Sequence, residues 1–168
     1  MLREFADDIG ADFHGGLFFN SLVTLSVPPS TIKVDTFAKR IWFANFDEDP
    51  RDRKYYARLR SLYLSKDGFT FDIRSQTNKA NDPSKLRELL DNPRIAKLIL
   101  GRPSMRLKVR HPWRLFRRLR KGAAELYLEE KYVGDVGQLK SLLDLYLETL
   151  VQLGRMGSAD KEGPFKGV

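Results

Sequence analysis

The segment Met105-Arg106-Leu107-Lys108-Val109-Arg110 and the segment that starts Ala124-Glu125-Leu126-Tyr127-Leu128-Glu129 both alternate apolar and polar side chains. This is the period of a β-strand with one buried and one exposed face. We therefore predict strands at 105–110 and 124–132 that pair with each other. In this pairing the three outward basic residues of the first strand face the two outward glutamates of the second.

Helices surround these strands in the sequence. Apolar residues at helical spacing extend from near Asp135 to Leu153, and Gly154 is a suitable end. Asp82-Pro83 and Asn92-Pro93 each combine an N-cap residue with a proline for the first helical position. We predict helices at 2–9, 83–91, 93–100 and 135–153. The expected fold class is α+β, a largely antiparallel sheet with helices packed on one face and a long C-terminal helix.

Further strands are predicted earlier in the chain, at 13–26 and 31–37, joined at Pro28-Pro29. Asp67-Gly68 is the strongest turn signal, because a two-residue type I′ hairpin needs two residues that accept positive φ angles. We predict a hairpin there, with apolar residues of its two strands on one face. The expected pairs are Leu64 with Phe71 and Leu62 with Ile73.

The length of 168 residues is that of one ordinary domain. We expect a single α+β domain over 1–153 and a flexible C-terminal tail over 154–168, since the tail is rich in glycine and lacks an apolar period. The chain has no cysteine, which excludes a disulfide and a thiolate metal site and favours a reducing compartment. Lacking a long apolar run, the chain is expected in the cytoplasm, with a membrane-proximal position as the alternative.

Charge is concentrated in one stretch, from Gly101 to Lys121, which contains basic residues and no Asp or Glu, in a chain of formal net charge +8. Between Pro112 and Gly122 the pattern also fits an amphipathic helix with arginines on one face and aromatics on the other. We predict a non-catalytic binding module that uses about 102–121 to contact an anionic protein or membrane surface. The alternatives are nonspecific nucleic-acid binding and a solvated surface helix. The predicted anion-binding residues are Arg114, Arg117, Arg118, Arg120 and Lys121.

Catalytic signals are weak. His14 and His111 have no catalytic motif around them, and the acidic residues of 47–52 lack the spacing of a calcium loop. Glu129-Glu130-Lys131 contains the Glu-x-Lys half of a metal-dependent nuclease site, for which Asp72 is the candidate second carboxylate. A solvated strand edge is the favoured interpretation. We therefore predict no catalytic residue, no metal and no cofactor, and rank an undetected metal-dependent enzyme third.

A resemblance covers about two thirds of the chain. Three segments carry it: Lys54-Tyr-Tyr-Ala-Arg-Leu-Arg60, Lys66-Asp-Gly-Phe-Thr-Phe71 and Leu89-Leu-Asp-Asn-Pro-Arg-Ile-Ala-Lys-Leu-Ile-Leu100. In pattern the chain resembles uncharacterised prokaryotic proteins classed as domains of unknown function. The resemblance implies a bacterial or archaeal origin and the same α+β layout, and it brings no activity, cofactor or catalytic residue. The sequence leaves the oligomeric state open.

Overall fold

The structure, a computed structural model, describes residues 1–15, 21–38, 55–112, 119–132 and 134–165. Its strands are β1 (Asp12–His14), β2 (Leu22–Val27), β3 (Ser30–Ala38), β4 (Tyr55–Leu64), β5 (Phe71–Arg74), β6 (Asn78–Ala80), β7 (Arg106–Arg110) and β8 (Ala123–Lys131). Its helices are α1 (Leu2–Ile9), α2 (Pro83–Leu90), α3 (Pro93–Ile99) and α4 (Val136–Arg155). The predicted α+β fold class is confirmed.

Within the described residues, the strands form one antiparallel sheet of eight strands in the order β1-β2-β3-β4-β8-β7-β5-β6. The predicted pairing of β7 with β8 is confirmed: Arg106 lies opposite Glu129 and Arg110 opposite Glu125. The centre of the sheet is the pair β4–β8, which aligns Leu59 with Leu128. Strand β8, the last of the described strands, therefore lies between two strands that precede it in the chain.

The helices form one layer on the sheet. Helix α4 contacts β4, β8 and the three other described helices. The sheet face below it is apolar, and Leu59, Leu107 and Leu128 are fully buried there. Tyr146 of α4 ties the two layers together, since its hydroxyl lies 2.8 Å from Ser61 Oγ and 2.8 Å from the Leu126 carbonyl oxygen. We call the opposite sheet face the open face.

The helix starts follow the predicted capping chemistry. The Asp82 carboxylate accepts hydrogen bonds from the backbone N–H groups of Ser84 and Lys85, and Asn92 caps α3 in the same way. Asp135 caps α4, which continues two residues past the predicted end at Leu153. These local signals were sufficient to predict the helix starts, because an N-cap side chain binds only backbone N–H groups two or three residues away.

The predicted hairpin at Asp67-Gly68 is wrong. Strands β4 and β5 do not pair, because β8 and β7 lie between them. Gly68 does have a positive φ of 68°, but Asp67 Oδ1 accepts from the Phe69 N–H at 2.9 Å and Ser65 Oγ from the Gly68 N–H at 3.0 Å. The side chains thus close a wider turn that sends the chain away from β4.

The core face of β4 is also the reverse of the predicted one. Ala57, Leu59, Ser61 and Tyr63 are buried under the helices, whereas Leu62 and Leu64 are half-buried on the open face. Phe71 and Ile73 of β5 are buried, as predicted. A one-residue change of register exchanges the two faces of a strand, so the wrong partner for β4 also gave the wrong face.

Residues 156–165 belong to the segment that we predicted to be a flexible tail, and the structure ties them to the sheet. Ser158 is fully buried, and Ala159 forms an antiparallel bridge with Ser65. The Asp160 N–H donates to the Leu64 carbonyl oxygen at 2.8 Å. This segment therefore extends the sheet beyond the end of β4.

Asp67 binds this C-terminal segment to the turn after β4. Ser158 Oγ donates to Asp67 Oδ2 at 2.7 Å, and Lys85 of α2 forms an ion pair with the same oxygen. Burial alone would raise the pKa of Asp67, but the hydrogen bonds from Lys85, Ser158 and the Phe69 N–H lower that pKa to about 2. The ionised Asp67 carboxylate thus connects the turn after β4, helix α2 and the C-terminal segment.

The predicted amphipathic helix before Gly122 does not reach the end that we assigned to it. Leu119 forms an antiparallel bridge with Phe165, and Lys121 lies in a turn. The Arg120 N–H donates to the Pro164 carbonyl oxygen at 2.9 Å, and residues 119–121 are not helical. Residues 113–118 lie outside the described residues. No helix of the described residues is long and apolar enough to cross a membrane.

A candidate anion-binding groove on the open face

Charged side chains cover the open face in rows that run across the strands. Residues directly opposite each other on paired strands point to the same side of a sheet, so the pairing identifies each row. One row consists of Asp12, Thr24, Lys33, Arg60, Tyr127, Lys108, Asp72 and Lys79. The next row consists of His14, Leu22, Asp35, Arg58, Glu129, Arg106 and Arg74. Basic side chains outnumber acidic ones in these two rows.

Most of the arginines on this face are already paired. Asp35, which is buried, accepts from Arg58 Nε at 2.8 Å and from the terminal nitrogen of Arg58 at 2.6 Å. This bidentate contact raises the pKa of the Arg58 guanidinium. Asp35 also contacts Arg60, at the longer distance of 3.3 Å. Arg58 is therefore held rigidly, while Arg60 keeps much of its bonding capacity.

A second group of pairs lies on the far side of β8. Arg106 donates to Asp72 at 2.9 and 2.6 Å, and Arg74 contacts the same carboxylate. The hydrogen bond from Arg106 is the main cause that holds the pKa of Asp72 well below its usual range. Arg110 forms an ion pair with Glu125. The Asp72 carboxylate already accepts hydrogen bonds from both guanidinium groups, which occupy the lone pairs that a metal ion would need.

The arrangement does not support the nuclease hypothesis. Glu129 lies on β8 and Asp72 on β5, with β7 between them. The Tyr127 hydroxyl donates to Glu129 at 2.7 Å, and Glu130 points to the opposite face of the sheet. Among the residues that the structure describes, no group of three potential ligands could hold a metal ion. The acidic residues of 47–52 lie outside the described part of the chain.

Lys108 lies on β7, opposite Tyr127 of β8 on the open face. Its ammonium lies 4.6 Å from the centre of the Tyr127 ring, and the Arg110 guanidinium lies 4.9 Å from the same centre. Burial and the nearby charges of Arg106 and Arg110 lower the pKa of Lys108. Attraction to the Tyr127 ring thus offsets part of the repulsion between the Lys108 ammonium and the neighbouring guanidinium groups.

Beside the ion pairs of the open face lies a groove of about 600 Å³, a volume in the range of ligand-binding clefts. Its charged lining among the described residues is Lys33, Arg60, Arg110 and Glu125. Its other described lining residues are Pro29, Ser30, Thr31, Ser61, Leu62, Pro112, Pro164 and Phe165. The groove therefore combines three cations with one carboxylate and a largely apolar wall.

Two of the three cations have unused bonding capacity. Lys33 is exposed, and no carboxylate oxygen of the described residues lies within 4.0 Å of its ammonium. Arg60 Nε is buried and has no hydrogen-bond partner in the described part of the chain. An N–H group without a partner away from water costs about 1–3 kcal/mol.

The structure describes only two of the five residues that the sequence predicted to bind an anion. Arg120 pairs with Glu162, and Lys121 is exposed in the turn before β8. Arg114, Arg117 and Arg118 lie outside the described residues, so their part in anion binding stays a prediction. Lys33 and Arg60 were not singled out. Their outward positions follow from strand alternation, but only the sheet order brings β3 and β4 to the same groove as the end of β7, with β8 between them.

Comparison of the chain with protein-family models, curated proteins and solved structures gave no match. The groove and its charges are therefore the basis for a functional proposal.

Proposed function

We propose that the protein is a non-catalytic binding module and that its groove on the open face binds an acidic segment of a partner protein. One observation carries this proposal: the groove contains more cations than carboxylates, and it also has an apolar wall. An acidic peptide offers both carboxylates and carbon surface, and it fits a concave site of this size.

The pairing on the open face favours a protein segment over nucleic acid. Phosphate backbones bind through many unpaired cations, each of which releases a counterion. Here Arg58, Arg74, Arg106 and Arg110 are already paired with carboxylates of the same face. A polyanion would have to compete with each of these internal pairs. Among the described residues Lys33 has no such pair, and Arg60 has only the longer contact of 3.3 Å with Asp35, so these two side chains offer a compact site for one or two carboxylates.

The test is a fluorescence-anisotropy titration of a labelled twelve-residue peptide of alternating Glu and Gly. A random-sequence single-stranded oligonucleotide of the same length is titrated in parallel. We expect the peptide to bind more tightly than the oligonucleotide at moderate salt. Lys33→Glu should weaken peptide binding about tenfold or more, because it replaces attraction with repulsion at the exposed end of the groove.

The matched control is Lys97→Glu. Lys97 is exposed on α3, in the helix layer, so this variant has the same change in net charge away from the groove. Peptide binding that Lys97→Glu reduces as much as Lys33→Glu does would show a general charge effect and overturn the proposal. So would an oligonucleotide that binds more tightly than the peptide and loses affinity steeply with salt, which would establish the nucleic-acid alternative.

A further inference from the structure

The apolar wall of the groove contains an aromatic residue, Phe165, whose backbone is held in place but whose side chain is not buried. The Phe165 backbone forms an antiparallel bridge with Leu119, and the neighbouring Pro164 accepts a hydrogen bond from the Arg120 N–H. The ion pair between Arg120 and Glu162 is a further tie between the same two segments. Yet Phe165 itself is 50% exposed.

An aromatic side chain on a fixed backbone, with half its surface in water beside a groove, has the properties of a binding anchor. Its ordering cost is small because the backbone is already positioned, and burial of the rest of the ring is favourable. Leu62 and Pro112 line the same groove and extend the apolar surface around it. The cations Lys33 and Arg60 line it as well.

We propose that the groove is specific for an acidic segment in which a large apolar residue is flanked by acidic ones. The apolar side chain packs against Phe165 and Leu62, while the flanking carboxylates bind Lys33 and Arg60. This inference rests on the proposed function and adds the identity of the residue that carries specificity. Phe165 is that residue, because it supplies the apolar surface that a purely electrostatic site lacks.

The experiment compares three peptides by isothermal titration calorimetry on the full chain. They share a twelve-residue Gly-rich frame, and their centres are Glu-Phe-Glu, Glu-Ala-Glu and Gln-Phe-Gln. We expect the Glu-Phe-Glu peptide to bind about tenfold more tightly than Glu-Ala-Glu, and Gln-Phe-Gln to bind most weakly. Binding of Glu-Phe-Glu should also have a more negative heat-capacity change than binding of Glu-Ala-Glu, because apolar surface is buried.

The variant Phe165→Ala should reduce the affinity for Glu-Phe-Glu to that for Glu-Ala-Glu and leave the latter unchanged. Its control is Val151→Ala on α4, which removes a similarly exposed apolar side chain from the helix layer and should change neither affinity. Equal affinities of the native protein for Glu-Phe-Glu and Glu-Ala-Glu would overturn the inference and leave the proposed function standing. Failure of both acidic peptides to bind would overturn the two together.

Discussion

Replacement of Glu130 by alanine should be among the most destabilising single changes to this protein. Glu130 is only 5% exposed and lies on the helix side of β8. Its Oε2 accepts from Arg102 at 2.6 Å and from Gln138 Nε2 at 3.0 Å. Arg102 in turn donates to the Leu98 carbonyl oxygen at 2.7 Å and to Ser141. One carboxylate therefore holds α3, α4 and β8 together.

Loss of that carboxylate leaves the Arg102 guanidinium largely buried without its counter-charge. Removal of one member of a buried ion pair costs about 3–5 kcal/mol, a large part of the 5–15 kcal/mol that stabilises a typical domain. With a urea slope of about 2 kcal/mol per molar, the midpoint of unfolding should fall by about 1.5–2.5 M. Urea titration followed by circular dichroism measures this shift directly.

The exposed pair Arg120–Glu162 is the matched control. Its glutamate side chain is 63% exposed, so Glu162→Ala should cost about 0–1 kcal/mol. The double variant Arg102→Met with Glu130→Leu should regain most of the lost stability, because no charge is then left unpaired. If Glu130→Ala shifts the midpoint no more than Glu162→Ala does, the reasoning from burial is refuted.

Five further substitutions test other parts of the structure. Tyr63→Phe should leave the free energy of unfolding unchanged or raise it by up to about 1 kcal/mol, because the Tyr63 hydroxyl is buried without a partner among the described residues. Tyr146→Phe, which removes a hydrogen-bonded hydroxyl, should lower the free energy of unfolding by about 1–2 kcal/mol in the same urea titration. Because the pKa of Asp67 falls from 3.8 to about 2 on folding, the stability it adds is complete above pH 4 and is lost as pH falls towards 2. Asp67→Asn should therefore flatten the stability profile between those pH values. Gly154→Ala should add about 0.5–1 kcal/mol, since Gly154 is helical with no atom within 4 Å of the added Cβ. Gly122→Ala should instead destabilise, because Gly122 has a φ of 92° and the new Cβ would lie 3.0 Å from a backbone oxygen.

Local signals in the sequence predicted the four helices of the described residues and the pair β7–β8 well. Caps such as Asp82 act within a single turn, and the alternation at 105–110 and 124–132 needs no distant information. The hairpin at Asp67-Gly68 failed for the opposite reason. A turn signal states that the chain reverses, but the neighbour of β4 on that side is β8, which starts more than fifty residues later. Long-range pairing is set by the whole sheet and not by the turn.

One signal in β4 could have corrected its orientation. Arg58 and Arg60 occupy the same face as Leu62 and Leu64, because side chains alternate along a strand. The free-energy cost of burying two arginines exceeds that of exposing two leucines. This face of β4 therefore points away from the core. Had the arginines been given more weight than the leucines, the sequence would have placed Arg60 and Leu62 together on the open face, where both line the groove.

Charge pairing on the open face also explains why the basic stretch was an incomplete guide to the candidate site. Arg102 and Arg106, two members of that stretch, are held by Glu130 and Asp72 and serve stability. A count of charges along the chain cannot distinguish such residues from Lys33, which lies far from the stretch in sequence and next to Arg60 in the sheet. What matters for binding is the charge left after pairing. In the described part of the open face, Lys33 has its unpaired charge beside the apolar wall of the groove, so an acidic partner gains both charge attraction and apolar contact there.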